Sequence, residues 1–266
     1  MAAPELPDLY VLREGSGPPV VFLHGIGGDH SMWNAVLPEL AKDHGIFALD
    51  LRGHGRSPLP EGSTMSFDEL ARDVVAVLER EGVRRAHVVG ISAGGFLALT
   101  LALKDATRVA SMTLVSSAGH CDAHTRSVGQ RWADTYREEG FDAFVLRLLK
   151  DLYYPDWIEE HMDMVDRIRD DLRSRDLTGT LRWCESIRNF DLRGRLGGVK
   201  IPTLVVQGMD DHVVDPSHAR LLRQTITGTE VRLFARTGHM VPMERPAETA
   251  EAIRKWVARA ESRPAA

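Results

Sequence analysis

The chain has 266 residues, of which 43% are hydrophobic, and this length suits one α/β core that carries an insertion. The formal net charge is −5, from 33 basic and 38 acidic residues, and since no block of basic residues occurs we expect no nucleic-acid partner. The start of the chain lacks the basic flank and apolar run of a signal peptide, and no apolar stretch is long enough to cross a bilayer. We therefore expect a cytoplasmic protein that binds no membrane.

The first half of the chain predicts strands and helices in alternation. Short apolar runs rich in β-branched or aromatic residues predict strands, at residues 10–12, 19–23, 45–50 and 86–89. Apolar residues that recur on one side, or all round, predict helices, at residues 32–42, 67–80 and 94–103. Ser66 is the expected N-cap of the second helix, which has acidic residues in its first turn.

The second half continues this alternation, except in one long segment. Further strands are predicted at residues 109–116, 202–207 and 230–234, and helices at residues 216–226 and 246–258. Residues 118–199 contain no convincing buried strand and carry amphipathic helical patterns instead. Residues 258–266 form a low-complexity tail that we expect to be frayed.

This order of elements predicts an α/β fold with a doubly wound, mostly parallel sheet. Parallel strands need crossover connections, which are right-handed and place helices on both faces of the sheet. We expect residues 1–117 and 200–266 to form the core. Residues 118–199 are expected to form a helical cap inserted after a strand.

A serine lies at a sharp predicted turn between a buried strand and a buried helix. The strand before it and the apolar helix after it are joined by Gly90-Ile91-Ser92-Ala93-Gly94, the pattern G-x-S-x-G. A side chain on so tight a turn has strained φ and ψ angles, and glycine at both flanks lets the strand and the helix approach. The pattern matches a nucleophile elbow, although small residues at a turn also serve packing alone.

A serine nucleophile needs a histidine base and an acid that orients the histidine. In an open parallel sheet such groups follow the carboxyl ends of strands. His239 follows the strand at residues 230–234 after a flexible glycine, and Asp210 and Asp211 both follow the strand before it. Ser92, Asp211 and His239 then stand in the chain order nucleophile, acid, base. Asp210 is the alternative acid.

A glycine-rich loop, residues 24–28, follows the strand at residues 19–23. Its glycines do not form G-x-G-x-x-G, which disfavours nucleotide binding. Glycines let backbone N–H groups approach a developing anion closely, so we interpret the loop as an oxyanion hole. We expect His24 to shape this loop and His54 to hold its own loop by a backbone hydrogen bond, while Asp50 is a structural residue there.

Five motifs that occur in order make the chain resemble a known superfamily. They are His24-Gly25-x-Gly27, Asp50-x-Arg52-Gly53-His54-Gly55-x-Ser57, Gly90-x-Ser92-x-Gly94, Gly208-x-x-Asp211-x-Val213-Val214 and Gly238-His239. Over residues 10–117 and 200–260 the chain is similar to the α/β-hydrolase fold superfamily, in particular its small bacterial esterases, enol-lactonases, cofactor-free haloperoxidases and carbon–carbon hydrolases. Over residues 118–199 only position and helical character match.

The resemblance implies a role for each matching residue. Ser92 becomes the nucleophile, His239 the base and Asp211 the orienting acid, which is favoured over its neighbour by its place in the family pattern. The backbone N–H groups of Ile26 and Ala93 become the oxyanion donors. Relatives that open epoxides or remove halides carry aspartate at the elbow, so serine argues against both reactions.

Aromatic residues are concentrated in residues 118–199, which hold nine of the seventeen in the chain. Some are needed for the core of a small helical layer, and the others are candidates for lining a partly apolar substrate pocket. The pocket candidates are Trp33, Trp132, Tyr136, Phe144, Tyr153 and Trp157. An anionic substrate would require an inward-facing arginine, for which the candidates are Arg126, Arg131 and Arg147.

Two runs of histidine and acidic residues contain the residue types of a metal site, but neither has a recognised ligand spacing. They are His120-Cys121-Asp122-x-His124 and residues 210–218. Neither contains H-E-x-x-H or paired cysteines, and Cys121 and Cys184 form no disulfide framework. We therefore expect no metal, no cofactor and a reducing compartment.

These observations predict a serine hydrolase that cleaves a small carboxylic ester or lactone through an acyl-enzyme. One alternative is a hydrolase that cleaves a carbon–carbon bond in a vinylogous diketone with the same three residues. Another, from a different class, is a non-catalytic receptor for a small ligand on the same scaffold. A fluorophosphonate probe separates enzyme from receptor, because only an activated serine is labelled.

Overall fold

Residues 6–262 are described by the structure, a computed structural model. Their strands form one sheet and are β1 (Val11–Glu14), β2 (Pro19–Leu23), β3 (Gly45–Leu49), β4 (Ala86–Ile91), β5 (Val109–Val115), β6 (Thr203–Gly208) and β7 (Glu230–Phe234). The order across the sheet is β1-β3-β2-β4-β5-β6-β7. β1 pairs antiparallel and all other pairs are parallel, so the predicted mostly parallel sheet is confirmed.

Helices connect the strands and cover both faces of the sheet. They are α1 (Leu37–Leu40), α2 (Phe67–Arg80), α3 (Ala93–Lys104), α4 (Ala123–Glu139), α5 (Phe141–Leu152), α6 (Pro155–Glu160), α7 (Met162–Ser174), α8 (Thr178–Ile187), α9 (Ser217–Thr225), α10 (Val241–Glu244) and α11 (Pro246–Glu261). One hydrophobic cluster holds side chains of α2, α3 and α9, and a second holds those of α1, α10 and α11. Each face thus buries its own cluster, as a doubly wound fold requires.

The central strands are buried on both faces because helices cover both. Every residue of β4 and of β6 is buried, whereas no residue of the edge strand β7 is fully buried. Such burial explains the nearly continuous apolar runs of the central strands. The turns that carry Ser92 and Asp211 therefore begin from the best-packed strands of the sheet.

The helix predicted at residues 32–42 is wrong. The chain forms a short 3-10 helix at His30–Trp33 and a single α-helical turn at Leu37–Leu40. Pro38 has no N–H for the carbonyl four residues before it, and its ring obstructs a continuous helix there. The apolar side predicted for this helix is nonetheless buried, as Trp33 shows by having no exposed surface.

The frayed tail predicted at residues 258–266 is corrected in part. α11 continues through Glu261, while residues 263–266 lie outside the described range. Trp256 is buried, and Nε2 of His87 donates a hydrogen bond to the Glu261 carboxylate at 2.8 Å. Packing of one helix face and this bond hold the last turns of α11 in place.

Between β5 and β6 the described chain forms α4 to α8 and no strand, in agreement with the predicted helical character. We call residues 118–199 the helical segment. An isolated bridge pairs His120 with Asp191, where the chain leaves the sheet and where it returns. Among the described helices, none is long and apolar enough to cross a membrane.

The helical segment contacts loops at the carboxyl ends of the strands. The Leu152 carbonyl accepts a hydrogen bond from the His239 N–H at 2.7 Å. A Cβ placed on Gly179 would lie 2.2 Å from the carbonyl oxygen of Gly53, so the two backbones touch. The segment therefore lies against the edge of the sheet where the sequence predicts the site.

Candidate active site

Ser92 lies at the turn between β4 and α3, where the sequence places it. Its backbone has φ 53° and ψ −120°, a conformation that costs a non-glycine residue free energy. A Cβ on Gly90 would lie 2.3 Å from the Gly94 carbonyl oxygen, and a Cβ on Gly94 would lie 2.3 Å from that of Leu23. Both glycines are needed for the strand and the helix to approach, so the steric prediction is confirmed.

The strand next to β4 holds this strained turn. The Ser92 N–H donates to the Val115 carbonyl at 2.9 Å, and the Ser117 hydroxyl donates to the Ser92 carbonyl at 2.8 Å. Val115 ends β5 and Ser117 lies in the loop that follows it. The backbone of Ser92 is thus fixed on both sides of its side chain, which remains partly exposed.

Asp211 and His239 form a buried pair. Nδ1 of His239 lies 2.8 Å from Oδ2 of Asp211, and their side chains are 3% and 0% exposed. Because an ionised carboxylate can only accept, Nδ1 carries the proton and Nε2 is left as the basic nitrogen. The pair has the arrangement that a histidine base and its orienting acid require.

Three further donors orient the Asp211 carboxylate. The N–H groups of Val213 and Val214 donate to Oδ1 at 2.8 and 2.9 Å. The side-chain amide of Gln207, in β6, donates to Oδ2 at 2.8 Å. Both carboxylate oxygens are therefore held, and Oδ2 faces His239.

Asp210 is placed differently from its neighbour. Its backbone N–H donates to the Thr237 carbonyl at 3.0 Å, and within residues 6–262 the carboxylate that bonds His239 is that of Asp211. The geometry favours Asp211 over Asp210 as the partner of the histidine.

His239 makes no hydrogen bond to Ser92 in the described part of the chain. Its ring bonds to Asp211 and its N–H donates to Leu152. The three predicted residues follow β4, β6 and β7, whose carboxyl ends share one edge of the sheet. The structure joins the acid to the histidine and places the serine on the same edge.

His24 shapes the loop that contains Ile26. Its Nε2 accepts from the Leu51 N–H at 2.9 Å, so its Nδ1 carries the proton and donates to the Gly25 carbonyl at 2.7 Å. Burial lowers the pKa of His24 to about 3, which keeps the ring neutral. The Gly25 carbonyl and the Ile26 N–H belong to one planar peptide and point in opposite directions. Holding the carbonyl therefore aims the N–H away from His24.

The loop of residues 24–28 adjoins the serine turn. A Cβ on Gly25 would lie 3.2 Å from Cβ and 3.8 Å from Oγ of Ser92, so a side chain there would crowd the hydroxyl. Ala93 is the first residue of α3, where a helix leaves its N–H groups without an intrahelical acceptor. The peptide segments that carry the Ile26 and Ala93 N–H groups therefore both adjoin Ser92.

His54 and Asp50 have the structural contacts that the sequence predicts. Nδ1 of His54 donates to the Arg52 carbonyl at 3.0 Å. Asp50 accepts from the N–H groups of His30 at 2.8 Å and of Arg56 at 2.9 Å. Both side chains hold loops that follow strands, and neither bonds the Asp211–His239 pair.

The prediction that Trp33 lines a substrate pocket is wrong. It has no solvent-accessible surface and packs edge-on against Phe22, with ring centroids 5.1 Å apart. A side chain with no accessible surface lines no pocket, so Trp33 is a core residue. Tyr153 and Trp157 are also buried and stack on each other at 4.3 Å, a contact that packs α5 against α6.

The remaining pocket candidates connect α4 with α5. The Trp132 indole N–H donates to the buried Asp151 carboxylate at 2.8 Å. Tyr136 is more than half exposed and meets Phe144 edge-on at 5.8 Å. These side chains hold the two helices together.

The three arginine candidates, Arg126, Arg131 and Arg147, are exposed. Arg126 donates to the Cys121 carbonyl at 2.6 Å, and Arg131 donates to the Ser127 hydroxyl at 3.1 Å. Both of these contacts are with residues close in sequence, as is typical of surface arginines.

Among the described residues, one further group of side chains that could bind a metal ion lies close together. Ligand atoms of Asp29, His30 and Asp50 all lie within 4.8 Å of one another. Nδ1 of His30 is hydrogen-bonded to Asp50 at 2.7 Å, and Asp29 is paired with Arg175 at 2.7 Å. Their ligand atoms are thus engaged with protein partners, as expected of a hydrogen-bonded loop.

Glu244, which was not predicted from the sequence, holds the loop that carries His239. Its two oxygens both lie 3.0 Å from the Gly238 N–H, and Oε2 also accepts from the Tyr154 N–H at 3.0 Å. Burial raises the pKa of Glu244, although both N–H groups oppose this effect. Glu244 thus links the residue before His239 to the helical segment. Its partners lie 6 and 90 residues away, so no local pattern marks it.

Residues 18–246 match the family model described as alpha/beta hydrolase fold. The chain belongs to this family. The matched range includes β2 to β7 and every residue of the site described above. In this α/β-hydrolase the candidate residues occupy loops at the carboxyl ends of parallel strands, where open α/β sheets bind their ligands.

Several proteins are similar to this α/β-hydrolase over most of its length. "Putative carbamate hydrolase RutD" of Azorhizobium caulinodans is 31% identical over 227 residues, which are 84% of this chain and 85% of that protein. The crystal structure of the enol-lactonase from Burkholderia xenovorans is 27% identical, with a TM-score of 0.85, and covers 95% of this chain and 97% of that one. A structure of a thermophilic esterase from Thermogutta terrifontis is 26% identical, with a TM-score of 0.86, and covers 98% and 96%. The protein is an enzyme of the α/β-hydrolase family.

Proposed function

We propose that this α/β-hydrolase is a serine hydrolase that cleaves a small carboxylic ester or lactone. The buried Asp211–His239 pair carries the proposal, because an imidazole whose Nδ1 is held by a carboxylate is the base that a serine hydroxyl needs. Ser92 supplies the hydroxyl from a strained turn on the same edge of the sheet. Hydrogen bonds between nucleophile and base are often long without substrate and tighten in its complex.

The first step forms an acyl-enzyme. Nε2 of His239 takes the proton of Ser92 as Oγ attacks the carbonyl carbon of the substrate. The N–H groups of Ile26 and Ala93 stabilise the negative charge that develops on the carbonyl oxygen. His239 then gives its proton to the leaving oxygen as the C–O bond breaks, and the acyl group stays on Ser92.

Water completes the reaction. His239 takes a proton from a water molecule, whose oxygen attacks the acyl carbon. When the second tetrahedral intermediate collapses, His239 returns a proton to Oγ of Ser92 and the acid is released. Asp211 stays ionised throughout and stabilises the imidazolium.

Ester and lactone substrates are supported by two relatives. One solved structure is named as an enol-lactonase and another as an esterase, each more than 25% identical and similar over nearly the whole chain. We further propose that residues 118–199 act as a cap over the core formed by residues 1–117 and 200–266. A partly apolar substrate suits the aromatic content of this segment.

Labelling with a fluorophosphonate and hydrolysis of p-nitrophenyl acetate test the proposal. We expect the wild-type protein to be labelled at Ser92, and Ser92→Ala to lose labelling and on the order of 10⁴-fold or more in kcat. Ser127→Ala is a matched control, because this exposed α4 hydroxyl bonds the nearby His124 carbonyl and Arg131 side chain, and it should keep both properties.

Two outcomes contradict the proposal. A folded wild-type protein that is not labelled would favour a receptor, and a Ser92→Ala variant with wild-type activity would remove Ser92 from the mechanism. A substrate panel with an ester, a lactone and a vinylogous diketone then separates C–O from carbon–carbon cleavage.

A further inference from the structure

Arg175, which follows α7 in the helical segment, bonds the loop that carries the Ile26 N–H. One terminal guanidinium nitrogen donates to the Gly27 carbonyl at 3.1 Å, and the other donates to the Asp29 carboxylate at 2.7 Å. Nε donates to Asp171 at 2.7 Å. The Arg175 side chain is only 21% exposed, so its planar fork is held by three partners.

The turn at residues 25–28 is anchored from two sides. A backbone hydrogen bond of 3.2 Å closes it, and His24 fixes it from the core through the Gly25 carbonyl. Arg175 fixes it from the helical segment through the Gly27 carbonyl. The proposed oxyanion donor lies between these two anchored carbonyls.

Asp29 binds the Arg175 guanidinium at this turn. Its Oδ1 accepts from the Ser31 N–H at 2.8 Å, which leaves Oδ2 for Arg175. Burial alone would raise the pKa of Asp29, but the Ser31 hydrogen bonds and the charge of Arg175 hold it below its ordinary value. The ion pair therefore persists at neutral pH.

The residues after Arg175 pack on the same loops. A Cβ on Gly27 would lie 3.6 Å from the Thr180 methyl group, and Gly179 touches the backbone of Gly53. Arg175 and the start of α8 thus form one contact surface with the loops after β2 and β3.

We propose that Arg175 is a positioning residue that couples the helical segment to the oxyanion hole, an inference that rests on the proposed function. With the segment in place, the guanidinium bridges Gly27 and Asp29 and steadies the Ile26 N–H where the oxyanion develops. A displacement of the segment breaks this bridge and frees the outer side of the turn. The oxyanion hole is then complete only when the segment covers the substrate, which confines attack by Ser92 to a covered site.

Arg175→Met tests the coupling because it removes the guanidinium and keeps an apolar stem. We expect kcat for p-nitrophenyl acetate to fall about tenfold with KM nearly unchanged. This loss is smaller than the roughly 100- to 1000-fold loss that follows removal of a whole oxyanion donor, because the Ile26 N–H stays in place but is less well positioned. The affinity for phenylboronic acid should fall by the same factor, because its tetrahedral adduct on Ser92 places an oxygen in the hole. A purely structural role would lower the unfolding temperature without these matched changes.

Two further variants sharpen the test. Arg175→Lys keeps a positive charge for Asp29 but lacks the fork that reaches two partners, so we expect kcat and boronate affinity about threefold below wild type. Arg167→Met, in α7, removes an exposed ion pair with Asp163 and should leave both values unchanged.

Wild-type kcat and boronate affinity in Arg175→Met would overturn the positioning role. If that variant does not fold, Arg175→Lys decides: matched losses support the role and unchanged values reject it. A wild-type protein that fluorophosphonate fails to label overturns the proposed function and this inference together. A labelled wild-type protein with unaffected Arg175 variants rejects the inference alone.

Discussion

The carboxyl edge of the sheet and the helical segment are built in different ways. At the edge, the acid, the histidine and the serine are each held by hydrogen bonds from neighbouring strands and loops. In the helical segment, α4 and α7 each bury one residue, Val128 and Val165. Some large apolar side chains of the segment are more than half exposed, among them Leu146, Met162 and Leu181. The edge therefore constrains its sequence closely, whereas the segment leaves many positions free to vary.

The largest loss of activity in this comparison is expected from a substitution of Asp211, at the carboxyl edge of the sheet. Asp211→Asn no longer holds His239 with its proton on Nδ1, so we expect kcat for p-nitrophenyl acetate to fall roughly 10³- to 10⁴-fold. Asp210→Asn is the matched control and should stay near the wild-type rate, since its side chain does not bond the histidine. Equal losses in the two variants would break the assignment of Asp211.

Glycine-to-alanine substitutions compare the packing of the two regions directly. A Cβ on Gly94 would lie 2.3 Å from the rigid Leu23 carbonyl, so Gly94→Ala should lower the unfolding free energy by about 3 kcal/mol or more. Gly129, in α4, has nothing within 4 Å of such an atom, and Gly129→Ala should raise the unfolding free energy by about 0.5–1 kcal/mol. Urea unfolding measures both changes. Effects of the same sign would show that the two regions do not differ in this way.

A smaller, pH-dependent effect is expected at His24. Burial lowers its pKa to about 3 in the folded state from the ordinary 6.5, so below about pH 6.5 the unfolded chain binds a proton that the folded chain does not. The contribution of His24 to stability is therefore fully present above pH 6.5 and is lost as the pH falls toward 3. The slope reaches about 1.4 kcal/mol per pH unit.

Urea unfolding at pH 6.5 and pH 5 measures this effect. His24→Asn should flatten the loss of unfolding free energy between the two values. His212→Gln, at an exposed position after β6, is the control and should keep the wild-type slope. An unchanged slope in His24→Asn would show that another group causes the pH dependence.

Local sequence patterns predicted the elements that carry the site. The bounds of β2, α2 and β7 agree with prediction, because apolar periodicity and capping residues mark these elements strongly. The helix predicted at residues 32–42 failed at Pro38, where backbone sterics outweighed a correct hydrophobic pattern. Periodicity showed which side chains are buried there but not the backbone conformation that buries them.

The contacts that Arg175 and Glu244 make with distant residues could not be predicted from the sequence. Arg175 and Glu244 stand among many charged residues, and their partners Gly27 and Tyr154 lie 148 and 90 residues away. The pocket assignment of Trp33 failed for a related reason, since an aromatic residue in a helical pattern suits a core and a pocket equally well.

By itself the sequence determined the alternation of strand and helix, the glycine-flanked turn at Ser92 and the residue types of a base and its acid. Only the tertiary structure shows that His239 bonds Asp211 rather than Asp210, and that Arg175 contacts the turn at Gly27. The physical reason is that sterics and periodicity act between neighbours in the chain. Hydrogen-bond partners instead depend on which loops the folded sheet places side by side.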